Sequence, residues 1–308
     1  MPPHLLRYQG LAVAYYSFAL GRLEAEVPST FDQFGFLFAY LCMLTCAGDY
    51  ARNLIKIWKQ FHTIGDKTMP NPVLFEIDNA TALITLNRPK RRNAINQALL
   101  IALYDALDEV RSSESIRAAI ITGAGKSFCS GLDLEAFPLE NIFAPRGDGL
   151  DFPDVINACR KPIIGAINGH AVTGGLEIAL QCDFLIASER ASFADTHARV
   201  GIHPGWGMTQ LLQEAIGIRR AKQMSYTCQF VDAESAFDWG LVNEVVHHEE
   251  LLPRAKQIAD AISEANQPML ETIAELMESR RNATLKQALA RERQGFETFA
   301  RERDLLEK

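Results

Sequence analysis

The chain has 308 residues, 48% of them hydrophobic and 22% charged, and its 31 Lys+Arg against 38 Asp+Glu give a formal net charge of −7. That is an ordinary globular composition for one large or two small domains with a core that needs no disulfide or metal staple, which excludes collagenous, disulfide-framework and wholly disordered chains. An acidic chain also lacks the global field of a nucleic-acid binder or a basic membrane-surface protein, so any anion site must be local.

The first change of character falls near Thr68. Before it lie an apolar stretch at 11–20 and an uncharged one at 33–48, which includes Phe34, Phe36, Leu37, Phe38, Leu41 and Leu44. The second is shorter than the ~20 apolar residues that span a bilayer. It also lies too far from the N-terminus to read as a secretory signal. Three readings of residues 1–68 stand open: a small helical appendage, a membrane-associated or targeting segment, and an extension outside the working protein, with translation starting at Met69. A chain beginning at Met69 is expected to stay folded, and membrane association is expected only through residues 1–68.

From Met69 onward the pattern is regular. Alternating runs at 73–77 and 82–86, separated by Asp78-Asn79, predict a β-hairpin. After Asn96 the apolar spacing Leu99, Leu103, Leu107, Val110 predicts a helix that stops at Ser112-Ser113. Buried-type strands are expected at 118–122, 162–167 and 183–187, with helices between them, which is an α/β arrangement with right-handed crossovers. The domain reading is a core over 69–252 and a helical, highly charged region over 253–308. In the latter, apolar positions such as Leu251, Ile258, Ile262, Leu270, Ile273 and Leu276 would cover the domain's own site or pack on a neighbouring subunit.

The six cysteines, Cys42, Cys46, Cys129, Cys159, Cys182 and Cys228, contain no CxxC pair, and the seven histidines contain no HExxH. No metal site is expected, and free thiols in apolar runs point to a reducing compartment, the cytoplasm by default and the mitochondrion as the alternative. Chemistry is expected instead at two segments of the form strand, small-residue turn, helix start: 126–134 (KSFCSGLDL) and 168–180 (NGHAVTGGLEIAL). Backbone N–H groups near a helix start lack intrahelical partners, and glycine admits a ligand closely. Two such groups converging on one oxygen would make an oxyanion hole. Either segment alone is equally a tight turn needed for packing, and neither has P-loop or GxGxxG spacing.

The two segments occur together with 86–96 (LNRPKRRNAIN) upstream and 203–210 (HPGWGMTQ) downstream. In this order and spacing, from about Val73 to the C-terminus, the chain resembles the enoyl-CoA hydratase/isomerase (crotonase) family. The resemblance implies a ββα superhelix, a homotrimer or hexamer, and an acyl-CoA thioester substrate with no cofactor besides the coenzyme A it carries. It implies that the backbone N–H groups of Leu132 and Gly174 hold the thioester carbonyl, and that Arg92, Ala94, Ser130, Asp133 and Leu134 lie along the CoA end. The cationic cluster Arg88, Lys90, Arg91 and Arg92 is then expected to reach CoA phosphate through at least one of its members. Glu177 matches one of the two catalytic glutamates of the hydratases. The position of the second is occupied by His197, in the segment FADTHARVG (193–201). An imidazole can serve as acid or base there, or merely fill the space, and Asp195 is a second candidate. Trp206 stands where the family usually has a small residue, either walling the acyl pocket or packing on a helix. The implied reaction is hydration of a trans-2-enoyl-CoA to a 3-hydroxyacyl-CoA. The rivals are double-bond isomerisation, other lyase chemistry of the family, and a non-catalytic acyl-CoA binder.

Overall fold

Residues 118–123 carry the pattern that sets the architecture. Ala119 and Ile121 enter one apolar cluster while Ala118 and Ile120 enter another, because successive strand side chains point to opposite faces. A strand buried on both faces belongs inside a sheet covered by helices. The computed structural model describes residues 71–303, all of which belong to the second of the two units into which the chain divides, Met1–Met69 and Pro70–Lys308. The readings placed on residues 1–68, with Cys42 and Cys46, lie outside the described residues.

The hairpin forms as expected from β1 (Val73–Asp78) and β2 (Thr81–Leu86), with Asn79 at φ 54° in its turn. Helix α1 (Gln97–Ser112) follows, its N-cap Asn96 accepting the Leu99 N–H at 3.1 Å. Three units of strand, short strand and helix come next. They are β3 (Ala118–Gly123), β4 (Ser127–Cys129) and α2 (Phe152–Ala158); β5 (Ile163–Ile167), β6 (His170–Val172) and α3 (Gly174–Leu180); and β7 (Phe184–Ser188), β8 (Ser192–Ala194) and the single turn α4 (His197–Val200). Helices α5 (Met208–Ile216), α6 (Ile218–Thr227) and α7 (Ala233–Trp239) and strands β9 (Val231–Asp232) and β10 (Glu244–Val246) complete the core.

The long strands build a six-stranded sheet in the order β1-β2-β3-β5-β7-β10, parallel except for the hairpin. The short strands build a second sheet, β4-β6-β8-β9. Each unit therefore adds one strand to each sheet and then a helix, which is the ββα superhelix that the resemblance implied. The short sheet is new: three-residue strands are too brief to show periodicity. One outer face of the long sheet is covered by α8 (Leu251–Glu264), where Ala255 and Ala259, one turn apart, let the helix approach Ile120, Ile164 and Ile186. Helices α9 (Gln267–Ser279) and α10 (Leu285–Glu302) follow, and Ala300 is their single buried residue. No helix among the described residues is long and apolar enough to cross a membrane.

Candidate active site

The ends of β4 and β6 place two backbone donors side by side. Ile95 bonds through its own N–H to Gly131 O (2.8 Å) and through its O to the Asp133 N–H (2.8 Å), which is a parallel bridge opposite Leu132. That pattern turns the Leu132 N–H away from Ile95. Gly174 is the first residue of α3, where an N–H has no intrahelical acceptor. Neither N–H donates to an acceptor among the described residues. They are neighbours, because a Cβ on Gly174 would lie 3.7 Å from the Leu132 nitrogen and one on Gly131 would lie 3.3 Å from the Gly174 nitrogen. Gly131, at φ +87°, supplies the backbone that a side chain would strain.

One turn into α3, Glu177 is 3% exposed. Its Oε1 accepts N–H groups from Trp206 (2.9 Å) and Met208 (3.2 Å), which fixes the carboxyl against the start of α5. Its Oε2 lies 3.7 Å from Nε2 of His197, a residue 6% exposed at the start of α4. The other ring nitrogen of His197 is 2.7 Å from Asp195 Oδ1, which also accepts the His197 backbone N–H at 3.1 Å. A carboxylate there requires a proton on Nδ1, so Nε2 of the neutral ring presents its lone pair to Glu177. Burial pushes the Glu177 carboxyl above the usual range, and the two backbone donors and His197 offset only part of this. Burial also pushes Asp195 up, but hydrogen bonds from the His197 ring, Ser225 and the His197 backbone outweigh it and hold Asp195 below the usual range.

A gap of 3.7 Å is too long for a direct hydrogen bond and short enough to be shared by one water. The cavity beside it, about 30 Å³, is lined by Leu132, Gly174, Glu177, His197 and Trp206 with Phe137, Ile142 and Phe143, and has room for a water. Trp206 lines this cavity and also packs on Phe152 of α2 with ring centroids 5.5 Å apart, so it takes the helix-packing alternative of the sequence while facing the hollow.

Arg92, Ala94, Asp133 and Leu134 surround an open depression of about 300 Å³, together with Lys90, Arg91, Leu132 and Glu135. Leu132 thus belongs to both hollows. Of the cationic cluster, Arg88 pairs with Asp133 at 3.0 Å, and Arg91 pairs with Asp133 at 3.2 Å and Glu135 at 2.5 Å. Lys90 and Arg92 have no ion pair among the described residues. Ser130 stands one step back, its N–H bonded to Arg92 O at 3.0 Å.

The family model for enoyl-CoA hydratase/isomerase matches residues 76–307. This chain belongs to that family. It is 43% identical over 218 residues to a probable peroxisomal enoyl-CoA hydratase of Arabidopsis thaliana, covering 69% of this chain and 80% of the relative. A crotonyl-CoA hydratase of Syntrophomonas wolfei is 41% identical over 196 residues, 62% of this chain and 75% of the relative. The solved structure of an enoyl-CoA hydratase from Mycobacterium tuberculosis H37Rv superposes with a TM-score of 0.62 at 41% identity, covering 71% of this chain and 95% of that one.

For a member of the enoyl-CoA hydratase/isomerase family, the sequence had misplaced one element. Segment 126–134 was expected to run from strand through turn into a helix start, but after β4 the chain makes the Leu132 bridge and then short turns through residue 139. Asp133 is occupied by two arginines and Pro138 interrupts any continuing helix. The Leu132 N–H is therefore presented by a bridged edge and not by a helix end. Sequence reasoning also missed Asn93, a fully buried residue at φ 56° whose Nδ2 donates to Ala124 O, Ser127 O and Phe128 O and whose Oδ1 accepts the Arg88 N–H. It ties the Arg88–Arg92 turn to β4. An asparagine among arginines was the available signal, since Asn tolerates the left-handed region.

Proposed function

We propose that this chain hydrates 2-enoyl-CoA thioesters to 3-hydroxyacyl-CoA. The observation that carries the reading is the convergence of the unpartnered Leu132 and Gly174 N–H groups with the Glu177/His197 pair on one small cavity. The names of the relatives support it. In this scheme the two N–H groups hold the thioester oxygen as it gains enolate charge, each worth about 3 kcal/mol of barrier. Glu177 and His197 share one proton and bracket the water. The water oxygen bonds to Cβ while His197 Nε2 takes one of its protons, the Cα–Cβ double bond opens toward the carbonyl, and Glu177 delivers its proton to Cα. Transfer from His197 back to Glu177 resets the pair, so one water has been added and nothing else consumed. Asp195 stabilises the imidazolium that forms, without itself being protonated.

The depression beside Leu132 takes the CoA portion, with Lys90 and Arg92 as the cations open to its phosphates and Ala94 and Leu134 as apolar walls. Arg88 and Asp133 hold the loop that carries Leu132. The chemistry uses only groups of the chain and the coenzyme A of the substrate. The assembly is a homotrimer or hexamer.

Mixing the protein with trans-2-enoyl-CoA esters of several lengths and following the conjugated enoyl-thioester absorbance tests the reading. Rapid loss is expected, with Glu177→Gln and His197→Ala each lowering kcat by about 10²–10⁴-fold while ester binding persists. Binding without loss of absorbance in the parent protein would overturn hydration.

A further inference from the structure

Thr173 and Thr196 are both N-cap residues, of α3 and α4, and neither side chain caps its own helix. Threonine at an N-cap ordinarily accepts an N–H from its own first turn. Here the two hydroxyls bond to each other at 2.5 Å, and Thr173 Oγ1 also accepts the Thr196 N–H at 3.2 Å. Thr173 is moreover held at φ 54°, ψ −116°, a region that β-branched residues rarely occupy. Its own N–H is anchored on Ala194 O at 2.8 Å, and its Cβ is 3.3 Å from where a side chain on Gly131 would begin. Two forgone caps and one strained backbone meet at a single contact. Strain of this kind persists only where its surroundings impose it, and it marks functional geometry.

The residue after Thr173 is Gly174, one of the two donors of the oxyanion site. The residue after Thr196 is His197. We infer that the Thr173–Thr196 hydroxyl pair is a positioning latch that sets the Gly174 N–H and the His197 ring relative to each other. The latch acts through these neighbours and touches neither carbonyl nor water. It keeps the distance between the group that stabilises the enolate and the group that moves the proton, which belong to separate ββα units. Without it, the links between α3 and α4 in this region are the β6–β8 ladder with the Thr173 N–H bond to Ala194 O that extends it, and the long 3.7 Å approach of Glu177 to His197.

The inference rests on the hydratase reading, and its test separates the two. Thr173→Val and Thr196→Val preserve side-chain shape and remove one hydroxyl each; Thr173→Ser keeps the hydroxyl. The full chain and each variant are assayed on crotonyl-CoA for kcat and KM. They are also titrated with acetoacetyl-CoA, whose enolate the Leu132 and Gly174 N–H groups would hold without turnover. Both valine variants are expected to lose 10-fold or more in kcat with less than threefold change in KM, and to bind acetoacetyl-CoA several-fold more weakly. The double variant should be no worse than the poorer single, as for two halves of one contact. Thr173→Ser should return to within about threefold of the parent. Unchanged kcat and binding in Thr173→Val, additive losses in the double variant, or a serine variant as poor as the valine one would overturn the latch. A parent protein that hydrates nothing would remove the hydratase reading, and the acetoacetyl-CoA titration would then decide the latch by itself. Unfolded valine variants would leave the serine variant and Thr196→Ser as the deciding pair, expected to match the parent in both assays and overturning the latch if they do not.

Discussion

At Glu177 the proposed catalytic role and stability pull in opposite directions. Its carboxyl is raised by burial, so between the ordinary Glu range near 4.3 and its own folded value the native state binds more protons than the unfolded chain. Stability therefore falls as pH rises through that window, and above it the folded protein carries the full cost of a buried charge. Glu177→Gln keeps an oxygen for the Trp206 and Met208 N–H groups and can donate an amide N–H toward His197 Nε2. At pH above that window it should unfold at a higher temperature than the parent, and thermal melts against pH should lose their slope in this window while hydration collapses. A melting temperature below the parent's above the window would show that the charge is not costly there. Asp195 has the opposite sign. Its folded value lies below the unfolded one, so its contribution is present above the ordinary Asp range near 3.9 and is lost as pH falls through the folded value. Asp195→Asn removes that contribution and allows the amide to donate to Nδ1, which would move the ring proton to Nε2. A fall of about 10²-fold in kcat is expected, with ester binding retained; a rate within threefold of the parent would mean that the tautomer does not matter. Glu177 and His197 were legible in the sequence because the family resemblance fixes their positions. The role of Asp195 was not. From the sequence it stood as a rival to His197, whereas two residues of separation and a helix start put it behind the ring, where in the proposed scheme it orients the base.

The elements that the sequence announced were those long enough for a period to show. Strands β3, β5 and β7 are continuous apolar runs and α1 repeats its leucines every three to four residues, so their places were fixed by burial alone. Strands β4, β6 and β8 have three residues each; Phe128, Ala171 and Phe193 enter the core, but three residues are too few for a period to show, and the close approach between backbones that also seats them leaves no hydrophobic signature. Gly175 is the clearest case. A Cβ there would stand 2.1 Å from Cys129 O and 2.7 Å from the Cys129 carbonyl carbon, so α3 touches β4 only because this residue has no side chain. The obstructing atoms are backbone and cannot rotate away. Gly175→Ala should cost at least the 1–3 kcal/mol typical of an overpacked core, although alanine is the better helix former by about 1 kcal/mol. Urea unfolding would read this as a lower midpoint, and the displaced β4 would carry the Leu132 donor with it. An unchanged midpoint would mean that the two segments sit farther apart than the structure places them.

Across the whole molecule, the apolar surface is unevenly covered. The core of the described residues is closed, with α8 sealing the long sheet, yet the two helices that follow leave their apolar stripes outward. Met269, Ile273 and Met277 recur every four residues along α9, and Leu285, Leu289 and Phe296 share a face of α10; all six are exposed. A helix pair of this kind contributes little to a monomer and is stabilised by a second surface. The trimer or hexamer proposed above supplies one, made from copies of this chain. The sequence showed a helical region and, of these six positions, Ile273, while Leu270 and Leu276, named with it, are half-buried; it left open whether the helices fold back on their own domain, because periodicity identifies a face and not its neighbour. Light scattering should give a mass three or six times the 34.3 kDa of the chain. Ile273→Glu combined with Leu289→Glu places a charge in the middle of each stripe, where burial without a partner is costly. In the assembled state this should shift the mass toward one chain at micromolar concentration. Because both positions are exposed in the single chain, the far-ultraviolet circular dichroism should stay unchanged. A double variant that keeps the parent's mass would place the interface elsewhere, and a parent protein that is monomeric at all concentrations would sink the assembly.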